Sequence, residues 1–305
     1  FGEPSNHFVN TLQIMSWFSA DNVKTFFIGV LNPEDTGWPR EFNDDDEWLS
    51  EIQNQAFSQI QSALDKAKFV GTFEVKILIQ KTSSKTATVE TFANFIEENE
   101  VDLVIVHSHT KSILKSALGS FCSRLIHRSK IPIMVAPFDR VVSHHLRSIL
   151  FPTDFSGLSK RVFHSIVAWS GKLNAAVILY HRVSRPIDEV LQVAFHPARS
   201  RAVLPSDIVV IAENGAKRKA SHWLEANREN NSSLTFEINS DGATLTSAIT
   251  NQSQKKKVDL IALPTHSSYV NVLSFGSTVS HVLRSSHIPV LIIPVTYIPP
   301  GEFAE

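Results

Sequence analysis

A single cysteine, Cys122, in a chain of 305 residues excludes an intrachain disulfide and a paired-cysteine zinc site. It fits a reducing compartment, and no secretory signal stands at the start of the chain, so a cytoplasmic location is expected. No apolar run approaches the roughly 18 residues that a membrane span requires. Charge of one sign is also lacking. The 29 Lys+Arg residues face 30 Asp+Glu, and a net charge of −1 gives no whole-molecule field for sequence-independent nucleic-acid binding. Neither a membrane nor a nucleic acid is therefore an expected partner. A GxSxG elbow, an HExxH helix and a Walker-type phosphate loop are missing, which leaves nucleophilic and metal-assisted hydrolysis without a motif. What remains is a globular composition, 43% hydrophobic and 19% charged, at a length that suggests two domains.

The chain contains an internal repeat. An ungapped shift of 157 residues sets Val101–Pro137 against Val258–Pro294. Eleven of the 37 positions are identical, among them Val-Asp-Leu at the start, a central His, a Gly-Ser pair and Ile-Pro near the end. The hydrophobic pattern coincides as well: an apolar run, a polar loop, a stretch of helical period, then a second apolar run. Each unit reads strand, loop, helix, strand.

The alternation extends upstream of both units. In the second half, Arg147–Pro152 and Ala175–Val183 read as strands around a helix at Ser156–Gly171. A helix at Pro205–Arg228, a strand at Leu234–Ile238 and a helix at Gly242–Ser253, with Asp241 as its N-cap, follow. In the first half the pattern predicts a helix at Pro4–Phe18 and a strand at Val23–Leu31. A long helix then carries Trp48, Ile52, Ala56, Ile60, Ala63, Leu64 and Ala67 on one face. Strand Phe73–Gln80 and helix Ala87–Glu98 complete it. Strands of near-continuous Val, Ile and Leu alternating with helices indicate α/β architecture, with a parallel sheet covered on both faces. Five strands are expected per copy. The counterpart of Arg147–Pro152 is not found in the first half, because Phe1 lines up near Phe155. Either the polypeptide starts earlier or the first sheet has four strands.

On these residues both halves resemble universal stress protein domains, and the whole resembles the tandem two-domain members of that family. The most specific stretches are Ser148–Thr153 with Asp154-Phe155-Ser156, similar to the family's opening strand and Asp-x-Ser turn, and Val258–Pro294. The resemblance implies two doubly wound parallel five-stranded sheets of order 3-2-1-4-5, at 1–140 and 145–297, with a tail at 298–305. It also implies dimerisation through the last strands, so residues 131–136 and 288–293 are expected to pair within the chain as a pseudo-dimer. Such pairing removes two exposed edges. Further association into a homodimer stays open.

ATP-binding members resemble one another in a Gly-x-x-Gly pair after the fourth strand, followed nine residues later by Gly-Ser or Gly-Thr at a helix start. Glycines let backbone N–H groups approach phosphates, and the helix N-terminus adds partial positive charge. Here the second copy has Pro264-Thr265-His266-Ser267, and the first His107-Ser108-His109-Thr110. Gly276-Ser277 and Gly119-Ser120 then follow after eight intervening residues. The loop glycines are replaced in both copies, and proline also removes a donor. The resemblance leaves Asp154, Val183, Thr265, Gly276 and Ser277 as nucleotide-binding candidates, with ATP as the one cofactor candidate, in the second copy. Their plain alternatives are a turn or cap at Asp154 and a tight loop with a serine N-cap at Gly276-Ser277. The expected function is binding without catalysis, and the competing one is a nucleotide switch or slow ATPase in the second domain.

Thirteen histidines include the pairs His107/His109 and His144/His145, with His266 at the repeat position of His109, yet a metal site needs three or four converging ligands. Cys122 falls on an apolar helix face with Leu125 and Ile126, where a buried, inert thiol is expected. The long connection Ser184–Leu204 and its acidic first-half counterpart Asn32–Asp46 read as surface helix or lid. Lys255-Lys256-Lys257 reads as a solvated helix end.

Overall fold

The computed structural model describes residues 6–18, 23–31, 46–67, 72–79, 85–107, 120–137, 142–183, 206–240, 244–265 and 277–297. The connections 184–205 and 32–45, the loops 108–119 and 266–276, and the tail 298–305 lie outside the described residues. The chain divides into two compact units, residues 1–145 with 267–274 and 287–294, and residues 146–266 with 275–286 and 295–305.

In the second unit, β5 (Ser148–Pro152), β6 (Ala176–Arg182), β7 (Leu234–Asn239) and β8 (Leu260–Thr265) form an all-parallel ladder in the order β8-β5-β6-β7. Numbered within the copy, β7-β6-β5-β8 is 3-2-1-4. Continuous apolar runs become strands buried on both faces: Ile149, Leu150 and Phe151 of β5 are at most 1% exposed. The crossover helix α5 (Gly157–Lys172) turns Val162, Phe163, Ile166 and Val167 inward at helical spacing. Helix α6 (Ser206–Glu225) and helix α7 (Leu245–Lys256) return the chain after β6 and β7, and α8 (Ser277–Ser285) follows β8. The N-cap of α7 is Thr244, whose side chain accepts from Ser247 N, not Asp241, which lies outside the described residues.

The first unit contains α1 (Asn6–Ser16), β1 (Thr25–Leu31), α2 (Asp46–Ala67), β2 (Phe73–Ile79), α3 (Lys85–Glu98), β3 (Val104–His107), α4 (Ser120–Arg128) and β4 (Ile133–Ala136). Ala56, Ala63 and Leu64 of α2 are buried along the predicted face. Among the described residues the first copy contributes four strands, in the parallel pairs β1-β2 and β3-β4.

The first unit also includes the last strand of the second copy, β9 (Val290–Pro294). It runs antiparallel to β4 in the register Ile133↔Ile292, Met134↔Leu291 and Val135↔Val290. The two repeats therefore pair within one chain through their last strands, with all six residues at most 4% exposed. Among the described residues no helix is long and apolar enough to cross a membrane.

Candidate functional site

The parallel ladder sets the carboxyl ends of β5, β6 and β8 side by side, where open α/β sheets bind ligands. Asp154 follows β5, Val183 follows β6, and Thr265 ends β8. Val183 and Thr265 are buried and engaged through their backbones: Val183 N donates to Asn239 O at 2.7 Å, and Thr265 O accepts from Val295 N at 3.0 Å. Pro264, at the first loop-glycine position, lies inside β8. Gly276 lies outside the described residues, and Ser277 opens α8.

Asp154 is exposed, and its Oδ1 accepts from Ser156 N at 2.9 Å and Ser159 Oγ at 2.6 Å. Ser156 is the N-cap of α5, its Oγ accepting from Ser159 N at 3.2 Å. Desolvation alone raises the Asp154 pKa, but the hydrogen bonds from Ser159 and Ser156 outweigh it and hold the carboxyl below its ordinary value. The turn and the cap at the helix entry are thus one structure, with a carboxylate beside the positive end of α5.

Between these two residues stands Phe155 with φ 60°, a left-handed conformation unusual for a bulky residue. It is held there by its N–H, which donates to Thr153 Oγ1 at 2.9 Å, and by its ring. That ring packs 4.8 Å from the imidazole of His181 and edge-on 5.2 Å from Trp223, with Lys219 Nζ 6.0 Å from its centre. Trp223 continues to Phe163 and Phe163 to Phe151, so the turn is anchored in the core. His181 Nδ1 lies 2.8 Å from Thr153 O; a carbonyl only accepts, so Nδ1 carries the proton. Burial lowers the His181 pKa, the bond to Thr153 O opposes this, and Lys219 adds to it, which favours the neutral ring.

Sequence reading names Asp154, Val183 and Thr265, which lie at the carboxyl ends of β5, β6 and β8. It misses Phe155, His181, Lys219 and Trp223, which meet from three elements. The only local signal was a phenylalanine between Asp154 and Ser156, where a left-handed backbone would favour glycine.

No metal cluster arises among the described residues, where no three His, Cys, Asp or Glu side chains converge. His109 and His266 lie outside the described residues, while His144 and His145 are exposed. Cys122 is buried, and burial pushes its thiol up to about 12, leaving negligible thiolate near neutrality.

A sequence profile of the universal stress protein family matches residues 31–137 and again 145–294. The chain belongs to the universal stress protein family. It is a tandem member, with two matches in one polypeptide. Among solved structures, this universal stress protein is similar in fold to one from Archaeoglobus fulgidus DSM 4304, with TM-score 0.59, 16% identity, and 97% of this chain and 96% of that chain covered. It is also similar to a functionally unknown protein from Pseudomonas aeruginosa PAO1, with TM-score 0.54, 13% identity, and 80% and 79% of the two chains covered. At these identities the likeness concerns the fold. No curated protein matches the chain.

Proposed function

We propose that this tandem universal stress protein acts by binding rather than by turnover, with phosphate-cradling turns that no longer serve a triphosphate in either copy. The carrying observation is Pro264: it stands at the first loop-glycine position, inside β8, and offers no N–H. Thr265 beside it is buried, with its carbonyl engaged by Val295 N. The reading is further supported by the chemistry around Asp154. The serine hydroxyls there donate to a carboxylate or cap a helix, and none is paired with a histidine base among the described residues. A lone buried thiol and a net charge of −1 support a cytoplasmic protein that does not bind nucleic acid.

A second reading, a nucleotide switch in the second copy, is favoured by one observation: Asp154 stays exposed and charged at the carboxyl end of the sheet. Heat stability separates the two, because a ligand bound only by the folded state raises the melting temperature. Millimolar ATP with magnesium is expected to leave the melting temperature of the full chain unchanged. A rise that grows with ATP and is lost in Asp154→Ala would install the switch instead.

A further inference from the structure

Among the described residues β2 pairs only with β1, and β7 only with β6, so each is an edge strand. An edge is a template for pairing with another chain, and a charge in mid-strand blocks self-pairing when it meets its own like charge. β7 follows this rule. It carries one charged residue, Glu237, already ion-paired with Lys256 of α7.

β2 differs from it. It carries two charges of opposite sign, Glu74 and Lys76, one on each side of Val75. Glu74 bridges Lys24 at 2.9 Å and Lys76 at 3.2 Å, and the side chains of Glu74 and Lys76 are each 42% exposed. Gln53 Nε2 of α2 donates to Val75 O at 2.7 Å, so this carbonyl points away from β1 and a side-chain amide stands in for a neighbouring strand's N–H. The N–H and C=O of one strand residue share an edge, and alternate residues share the same edge. Phe73, Val75 and Ile77 therefore present their backbone groups outward. A groove of about 320 Å³ runs beside this edge, with Gln53, Asn54, Phe57, Phe73 and Val75 in its walls. Phe57 is 43% exposed, and its ring stacks on Phe73 with centroids 5.2 Å apart.

We propose that β2 is a self-pairing edge, through which two copies of this chain associate as an antiparallel strand pair with its two-fold axis at Val75. In this register Val75 and the partner's Val75 exchange both N–H···O bonds, and Gln53 is released. Glu74 faces the partner's Lys76, and Lys76 faces the partner's Glu74. Phe73 faces the partner's Ile77, which covers the apolar side of the groove. A register centred on Glu74 or on Lys76 sets like charges opposite each other instead, so the charge order selects one alignment. That self-complementarity commits the edge to a second copy of this chain, since one surface supplies both halves of an isologous contact. The contact uses neither β4 nor β9, so it adds to the pairing within the chain.

Sedimentation equilibrium of the full chain tests this, and a reversible monomer–dimer equilibrium is expected. Glu74→Lys and Lys76→Glu, each alone, set like charges opposite each other on both sides of the axis and are expected to weaken the dimer about tenfold. Mixed in equal amounts, the two variants are expected to form a heterodimer, because each offers the charge that the other lacks. The double variant, Glu74→Lys with Lys76→Glu, should regain the homodimer. Both rescues are independent of any stability lost in a single variant. The proposal is overturned by a chain that stays monomeric, by single variants that dimerise as tightly as the parent, or by a mixture that does not associate. A monomeric chain in which the Val75 amide exchanges slowly would show instead that the chain covers this edge itself.

Discussion

Two donors converge on one oxygen of Asp154, and the second of them, Ser159 Oγ, comes from within the helix that Ser156 caps. The turn therefore depends on an acceptor at this position more than on a charge. Asp154→Asn keeps an acceptor oxygen and is expected to cost no more than about 0.5 kcal/mol, whereas Asp154→Ala removes it and should cost about 1 kcal/mol, both read by urea unfolding. Because the folded state lowers the Asp154 pKa, its contribution is present above the ordinary value of 3.8 and is lost as pH falls through the folded pKa. The deficit of Asp154→Ala should shrink accordingly on acidification. Residue-level legibility was uneven for a physical reason. Asp154 announces itself through a local spacing, since the groups it bonds lie two and five residues away. His181 and Lys219 join it only after β6 and α6 have packed, and nothing near them in sequence records the meeting.

Elements whose ends are set by local geometry repeat between the copies. After α3, Glu100 N donates to Glu97 O and Val101 N to Ile96 O, with Glu100 at φ 49°. After α7, Lys257 N donates to Gln254 O and Val258 N to Ser253 O, with Lys257 at φ 52°. Both are Schellman closures that deliver the chain into Val-Asp-Leu, and both place a side-chain-bearing residue where glycine is favoured. Lys257→Gly is accordingly expected to raise stability by about 0.5–1 kcal/mol, visible as a higher melting temperature. The bodies of the helices and strands were legible because their apolar periods are long and regular, as in Ile52, Ala56, Ala63 and Leu64 of α2. Their ends were less so: the cap of α7 fell to Thr244, which reaches Ser247 N one turn on, within a run offering both Asp241 and Thr244 as capping side chains.

Across the whole molecule, the apolar run at the end of each repeat was readable as a strand, and its pairing followed from the resemblance and from the need to cover an edge. Which residues face one another depended on the three-dimensional register, now Met134 against Leu291. Both are at most 1% exposed, so a charge here has no water and no partner. Met134→Lys is expected to cost about 3 kcal/mol or more in denaturant unfolding, whereas Met134→Leu should remain within about 1.5 kcal/mol. The four strands described in the first copy were each legible from their apolar runs. That its strands stand as two separate pairs was not, because nothing in either pair's sequence states what lies between them.

The pairing of β4 with β9 sets a timetable for synthesis. β4 is complete long before its partner exists, since Val290 is translated 155 residues after Val135. At typical ribosomal speeds that interval is roughly 8–30 s. Throughout it the nascent chain carries a bare apolar edge, so this protein should lean on co-translational chaperones more than a single-copy relative would, and a stalled ribosome before residue 290 should release an aggregation-prone fragment.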